Sequence, residues 1–184
     1  MALVTLRVMV TLNQKLLNYA YSLLARREYS VCEVRQKLHS WLLRYQKSEA
    51  EDEAGELDPT DQKKLILVII KELQDQAYLS DERFTRLFIE QKQNINGWGQ
   101  QKIWQKLRQK GIDESIFVVL WSELESEVIS EKIKNDVQRK WINLVQKQKS
   151  QTEVKSALLR FLAGRGFGYA RSQKILDAVN PDQV

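Results

Sequence analysis

Apolar residues recur along most of the chain at three- and four-residue steps, the period of a helix face. Leu16, Leu17, Ala20, Leu23 and Leu24 predict a first helix from about Asn13 to Arg27. Val34, Leu38, Trp41 and Leu42 predict a second over about 31–44. The run Leu65, Ile66, Leu67, Val68, Ile69, Ile70, Leu73 is almost uninterrupted and rich in β-branched residues, which suits a strand. Its lysine flanks and the lack of any partner strand favour a buried helix over about 61–76. Phe84, Leu87 and Phe88 give a helix to about Gln93, and Ile103 and Leu107 a short one. Ile116, Phe117, Leu120, Trp121 and Leu124 give the next. Ile133, Val137, Trp141, Leu144 and Val145 mark a longer helix over about 130–148. Val154, Leu158, Phe161 and Leu162 mark another, and Ile175, Leu176 and Val179 the last, which stops at Asn180-Pro181. Ser30, Thr60 or Asp61, Ser80 and Asp113 are the expected N-caps, and Gly111 a left-handed C-terminal stop.

One unit occurs three times. Tyr29, Trp98 and Phe167 are spaced by 69 residues, each followed by a small residue, Ser30, Gly99 or Gly168. Five residues on stand Val34, Ile103 and Ser172; nine on stand Leu38, Leu107 and Leu176. Upstream, Leu24-Ala25-Arg26-Arg27-Glu28-Tyr29-Ser30 aligns with Leu162-Ala163-Gly164-Arg165-Gly166-Phe167-Gly168. Equal spacing with a matching upstream segment is the mark of an internal repeat. The reading is all-α: about nine helices in an elongated array of three tandem three-helix repeats. Its parts are a tail 1–12, a repeat 13–78, a repeat 79–127, a repeat 128–180 and a tail 181–184.

Charge changes this picture in one place. Residues 46–61 hold seven acids and one lysine, within the first repeat, and read as a mobile loop. They remove six negative charges from a chain of net +5, so the remainder carries +11. Such an excess attracts polyanions or an acidic protein face. The loop itself is either a mimic of DNA charge or, more simply, a solubilising tether. The apolar N-terminus is interrupted by Arg7 and has no small-residue cleavage site, so it reads as a tail or docking segment rather than a leader. No apolar run is long enough to span a membrane. A cytoplasmic monomer is the default.

Catalytic chemistry finds little to work with. Cys32 and His39 are the only residues of their types, which excludes an internal disulfide and a Cys/His zinc site. There is no P-loop and no nucleophile elbow, and Gly164-Arg165-Gly166-Phe167-Gly168 lacks the strand that a dinucleotide fingerprint requires. The carboxylates cluster only in the loop. The expectation is a non-enzyme with no catalytic, metal or cofactor residues, acting by binding or regulation. The five tryptophans are assigned to packing, with base stacking on Trp98 or Trp104 as the functional alternative.

Three repeat turns carry a resemblance: Leu24–Ser30, Gly97-Trp98-Gly99 with Lys106-Leu107-Arg108-Gln109-Lys110-Gly111, and Phe161–Phe167. With the junction Leu79-Ser80-Asp81-Glu82-Arg83-Phe84, and over about residues 16–179, they resemble the RecX family. The acidic loop and apolar N-terminus depart from the family pattern, and Gly164 stands where the first copy has Arg26. The resemblance implies a bacterial cytoplasmic regulator of RecA. It would bind the RecA filament on single-stranded DNA and inhibit its ATPase, strand-exchange and co-protease activities, with at most weak direct DNA binding. The candidate contact residues are Lys102, Lys106, Arg108 and Lys110, then Arg26, Arg27, Arg165 and Arg171. Two alternatives stay open: a helical nucleic-acid-binding module unconnected to RecA, and a pure scaffold.

Overall fold

The computed structural model describes residues 2–48, 58–124 and 130–179, which divide into two compact units, 1–84 and 85–184. Among the described residues there are nine helices and no strand. They are α1 (Ala2–Leu24), α2 (Val31–Ser48), α3 (Pro59–Asp75), α4 (Asp81–Asn94) and α5 (Gln100–Gln109), followed by α6 (Glu114–Leu124), α7 (Glu131–Gln146), α8 (Gln151–Gly164) and α9 (Tyr169–Val179).

The first unit is built on α1, α2 and α3. Leu16, Ala20, Val34, Leu38, Leu42, Ile66, Ile69 and Leu73 form its core. Tyr19, Trp41 and Tyr45 stack in series along its edge, with centroids 5.8 and 5.0 Å apart. In the second unit, Ile133, Val137, Val154, Leu158, Leu162, Ile175 and Leu176 join α7, α8 and α9. Ile103, Leu107, Phe117, Leu120 and Trp121 are buried on α5 and α6, where Trp104, Phe117 and Trp121 stack.

Helix ends follow local chemistry. Ser30 and Ser150 each form a reciprocal capping box with the glutamate three residues on, Glu33 and Glu153. The Lys149 ammonium and the Ser150 donors hold the Glu153 carboxyl at about 2. Gly111 (φ 75°) ends α5 in a Schellman motif, with Ile112 N–H donating to the Leu107 carbonyl. Ser80 and Asp113 cap α4 and α6 as expected.

Several boundaries differ from the sequence expectation. α1 begins at Ala2 rather than near Asn13, because no Gly or Pro separates the apolar start from the helix, and propagation costs less than nucleation. α3 is capped by Asp58 with Pro59 in its first turn, not by Thr60 or Asp61; proline's fixed φ suits that position. α2 extends to Ser48, so helices take both ends of the acidic stretch 46–61; its centre, 49–57, lies outside the described residues. In α4 Phe84 is buried as expected, with Ile89, while Phe88 is half-buried and Leu87 is 46% exposed. α3 is amphipathic rather than wholly buried, with Leu67 and Val68 facing out. An uninterrupted apolar run hides which of its members point inward.

This inside–outside division predicts contrasting mutants. Ile69→Ala should destabilise the protein by about 2–4 kcal/mol. Leu67→Ala should stay within about 0.5 kcal/mol of wild type. Urea unfolding followed by circular dichroism measures both.

Candidate interface at the repeat turns

The thrice-used unit is a helix–turn–helix: α1–α2, α4–α5 and α8–α9. The positions aligned by sequence have matching burial. Val34, Ile103 and Ser172 are buried, as are Leu38, Leu107 and Leu176. In all three, the residue after the aromatic supplies the carbonyl that accepts the first helical bond: Ser30 from Val34, Gly99 from Ile103, Gly168 from Ser172.

Within the second unit, two of these turns dock on each other through their backbones. Gly99 N–H donates to the Arg165 carbonyl at 2.8 Å, and Gln101 N–H to the Gly166 carbonyl at 3.1 Å. The α5 N-terminus, which has no side-chain cap, is thus closed by the turn before α9. Such an approach leaves no room for side chains. A Cβ on Gly99 would stand 2.5 Å from the Gly166 oxygen and 2.8 Å from the Phe167 ring. A Cβ on Gly166 would meet the Lys102 backbone nitrogen and lie 2.5 Å from the Lys102 Cβ; Gly166 also has φ +89°.

Arg165 clamps this junction. Its guanidinium donates to the Asn96 carbonyl and, at 3.3 Å, to Asp136 Oδ2. Asp136, 7% exposed, also receives Lys132 and Arg139, each at 2.6 Å. Burial pushes the Asp136 carboxyl up. The hydrogen bonds from Lys132 and Arg139 and the charges of Lys132 and Arg165 outweigh it, holding the group below the usual carboxylate range.

The candidate cations therefore differ in what they already do. Lys102 is half-buried, 5.0 Å above the Trp98 ring, and donates to the Gly164 carbonyl at 3.2 Å. Lys106 bonds Gln109. Lys110 lies beside them on the same stripe of α5, whereas exposed Arg108 lies on the other flank of the buried Ile103–Leu107 seam. Arg171 borders a cavity of about 340 Å³ that Trp98, Trp121 and Phe167 also line. In the first unit, Arg26 is exposed, while Arg27 stacks 3.6 Å over Tyr29 and pairs with Glu33 at 3.4 Å. The structure joins Lys102 and Arg165 at one junction; Arg26 and Arg27 belong to a separate turn.

That first turn is sealed by other chemistry. Glu28 and Ser30 occupy the places of Gly166 and Gly168. Glu28 binds the Arg83 fork at 2.8 and 3.2 Å, and Arg83 also donates to the Ala77 and Tyr78 carbonyls. Asp81 accepts the Val31 N–H at 2.8 Å, although burial pushes its carboxyl up.

Sequence reasoning passed over Asp136, Asn96 and the docking role of Gly99 and Gly166. The available signal for Asp136 was a lone acid four residues after Lys132 and three before Arg139, a spacing that puts all three on one face.

Gly99→Ala and Gly166→Ala should each cost about 2 kcal/mol or more, from crowding and, at Gly166, backbone strain. Gly164→Ala, with nothing within 4 Å of its Cβ, should be neutral or stabilising by up to about 1 kcal/mol. Denaturant melts distinguish them. The stability that Asp136 contributes should be fully present at neutral pH. Since its folded value is lowered, the gap between wild type and Asp136→Asn should shrink as pH falls below about 4 and close below the folded value.

Known proteins resemble this chain in sequence and in fold. Residues 80–117, which span the α4–α5 turn, match the family description "RecX, second three-helix domain". A "Regulatory protein RecX" from Pectobacterium atrosepticum is 28% identical over 168 residues, 88% of this chain and 95% of the relative. Another, from Cronobacter sakazakii, is 35% identical over 101 residues, 55% of this chain and 56% of the relative. The fold matches the crystal structure of RecX from Lactobacillus salivarius with a TM-score of 0.73, at 20% identity, over 93% of this chain and 98% of that one. The ordered repeat turns, the all-helical fold and a relative spanning most of the chain agree in one likeness: in sequence and in fold the protein is similar to the RecX regulatory proteins.

Proposed function

We propose that this protein regulates RecA by binding its filament on single-stranded DNA, inhibiting ATP hydrolysis, strand exchange and co-protease activity. It acts in the cytoplasm, by contact rather than catalysis. Likeness to the RecX regulatory proteins supports the partner. The observation that carries the site is α5: its apolar seam is buried, its N-terminus is closed by a neighbouring turn, and its outward surface is basic.

Lys106, Arg108 and Lys110 are the leading contacts, because they gather positive charge at the last turn of α5, where Lys106 bonds Gln109 of the same helix. Lys102 contributes charge while holding the Gly164 carbonyl. Arg171 adds to the basic residues of the second unit, Arg165 supports its junction from behind, and Arg26 and Arg27 are separate candidates on the first unit. Cations of this kind give affinity and register with little base specificity. Direct binding to DNA alone should be weak and fall steeply with salt. Among the described residues no helix is long and apolar enough to cross a membrane.

The direct test is RecA's DNA-dependent ATPase with and without the protein. Stoichiometric protein should slow hydrolysis; an unchanged rate contradicts the proposal. The variant Lys106→Glu/Arg108→Glu/Lys110→Glu should keep its circular dichroism and lose at least about tenfold in filament affinity, ~1.4 kcal/mol. Fluorescence anisotropy of labelled filaments measures that loss. Tight binding to DNA without RecA at physiological salt would instead favour an independent nucleic-acid-binding module.

A further inference from the structure

We propose that a cavity in the second unit receives a single unpaired nucleobase, supplied by single-stranded DNA or by a free nucleoside. The cavity is lined from α4, the α4–α5 turn, α6, α7 and α9, all within residues 85–184. Its volume, about 340 Å³, falls at the low end of small-ligand pockets, about 300–1,000 Å³. It suits a small compact ligand rather than a helix or strand of a partner.

The interior is apolar. Trp98, Trp121, Ile133, Phe167 and Ile175 line it, and Gly97, Gly166 and Gly168 share the wall without side chains. Trp98 and Phe167 are only half-buried, so two aromatic rings beside this space keep part of their surface in water. A flat apolar-faced ligand would cover that surface. Lys92 and Lys102 already stand over the Trp98 ring, at 5.4 and 5.0 Å. The walls therefore supply enclosure rather than a clear Trp98 face for stacking.

The polar lining selects the ligand. Gln93, Asn94 and Gln100 border the cavity, and among the described residues none of these three amide side chains makes a hydrogen bond. Gln93 is engaged through its main-chain carbonyl, which accepts from the Gly97 N–H and the Ser130 hydroxyl. Glu90 and Arg171 add one charge of each sign, so the lining has no net charge. A hydrocarbon would desolvate the amides without pairing them, and a small anion would leave the aromatic walls uncovered. A nucleobase answers both demands. It is neutral and flat, and its edges carry donors and acceptors side by side. Amide, carboxylate and guanidinium side chains are the ones that read those edges. Proteins take splayed-out, unpaired bases against aromatic side chains in this way. The lysines and arginines of the surface read phosphate alone; the cavity adds a component that depends on the base. None of this rests on RecA, so it stands or falls apart from the regulation proposed above.

Binding by the full chain without RecA tests it. Fluorescence anisotropy compares a labelled single-stranded oligonucleotide with an abasic one of equal length and equal phosphate count. The base-bearing strand should bind at least about tenfold more tightly. The ratio should hold as salt rises, while both affinities fall together. Adenosine and deoxycytidine, titrated against the intrinsic tryptophan fluorescence, separate the two sources. Saturable quenching assigns the cavity to free nucleosides as well; a base-dependent strand affinity without such quenching assigns it to the strand. Asn94→Ala/Gln100→Ala, at two exposed positions, should keep its circular dichroism and lose most of the difference between the strands and any nucleoside quenching. Equal affinity for both strands with no saturable nucleoside binding would overturn the proposal. So would base dependence or nucleoside binding that the folded double variant leaves unchanged, or saturation by toluene where nucleosides have no effect, which marks a purely apolar pocket.

Discussion

The second unit depends on a close approach of two backbones. At Gly99 and Gly166 the turns before α5 and α9 come so near that their amides and carbonyls bond directly. This does two jobs. It satisfies the α5 N–H groups, which have no side-chain cap, and it fixes the start of α5 against the α8–α9 pair. The direction in which α5 presents its lysines follows from that docking. Glycine is required here by the absence of room, and at Gly166 also by backbone conformation.

Electrostatics supports the same junction. Asp136 sits beneath a surface rich in cations and draws Lys132, Arg139 and Arg165 toward itself. A carboxylate with its three cations removed would be costly at this depth, and so would the cations without it. The arrangement sorts the basic residues of the second unit. Arg165 faces inward to hold the turn. Positive charge in the sequence is thus a poor guide to function until the internal consumers of that charge are known.

Much of the fold was legible because helical period, capping residues and glycine stops all act locally. The equal spacing of Tyr29, Trp98 and Phe167 revealed the repeated unit, and the matching burial of Val34, Ile103 and Ser172 bears it out. Boundaries were less legible where no local signal exists. Nothing in Ala2–Leu12 says stop, so the helix continues. The outward turn of Leu67 and Val68 was hidden because every neighbour is apolar and periodicity has no contrast to work on. At the candidate site, the cations were legible as a stripe, but their commitments were not. The bond from Arg165 to Asn96 joins positions 69 residues apart, and no spacing rule spans that distance.

The different sealing of the first turn bears on how such a protein can change over evolutionary time. The copies share a plan, yet they are no longer exchangeable parts. Placing the first copy's Glu28 and Ser30 where Gly166 and Gly99 stand would drive side chains into space already filled by the opposing turn. Conversely, glycine at position 28 would leave the Arg83 fork without its carboxylate. Each copy has become specific to its address. Exchanging the turns between copies would therefore cost stability through steric exclusion.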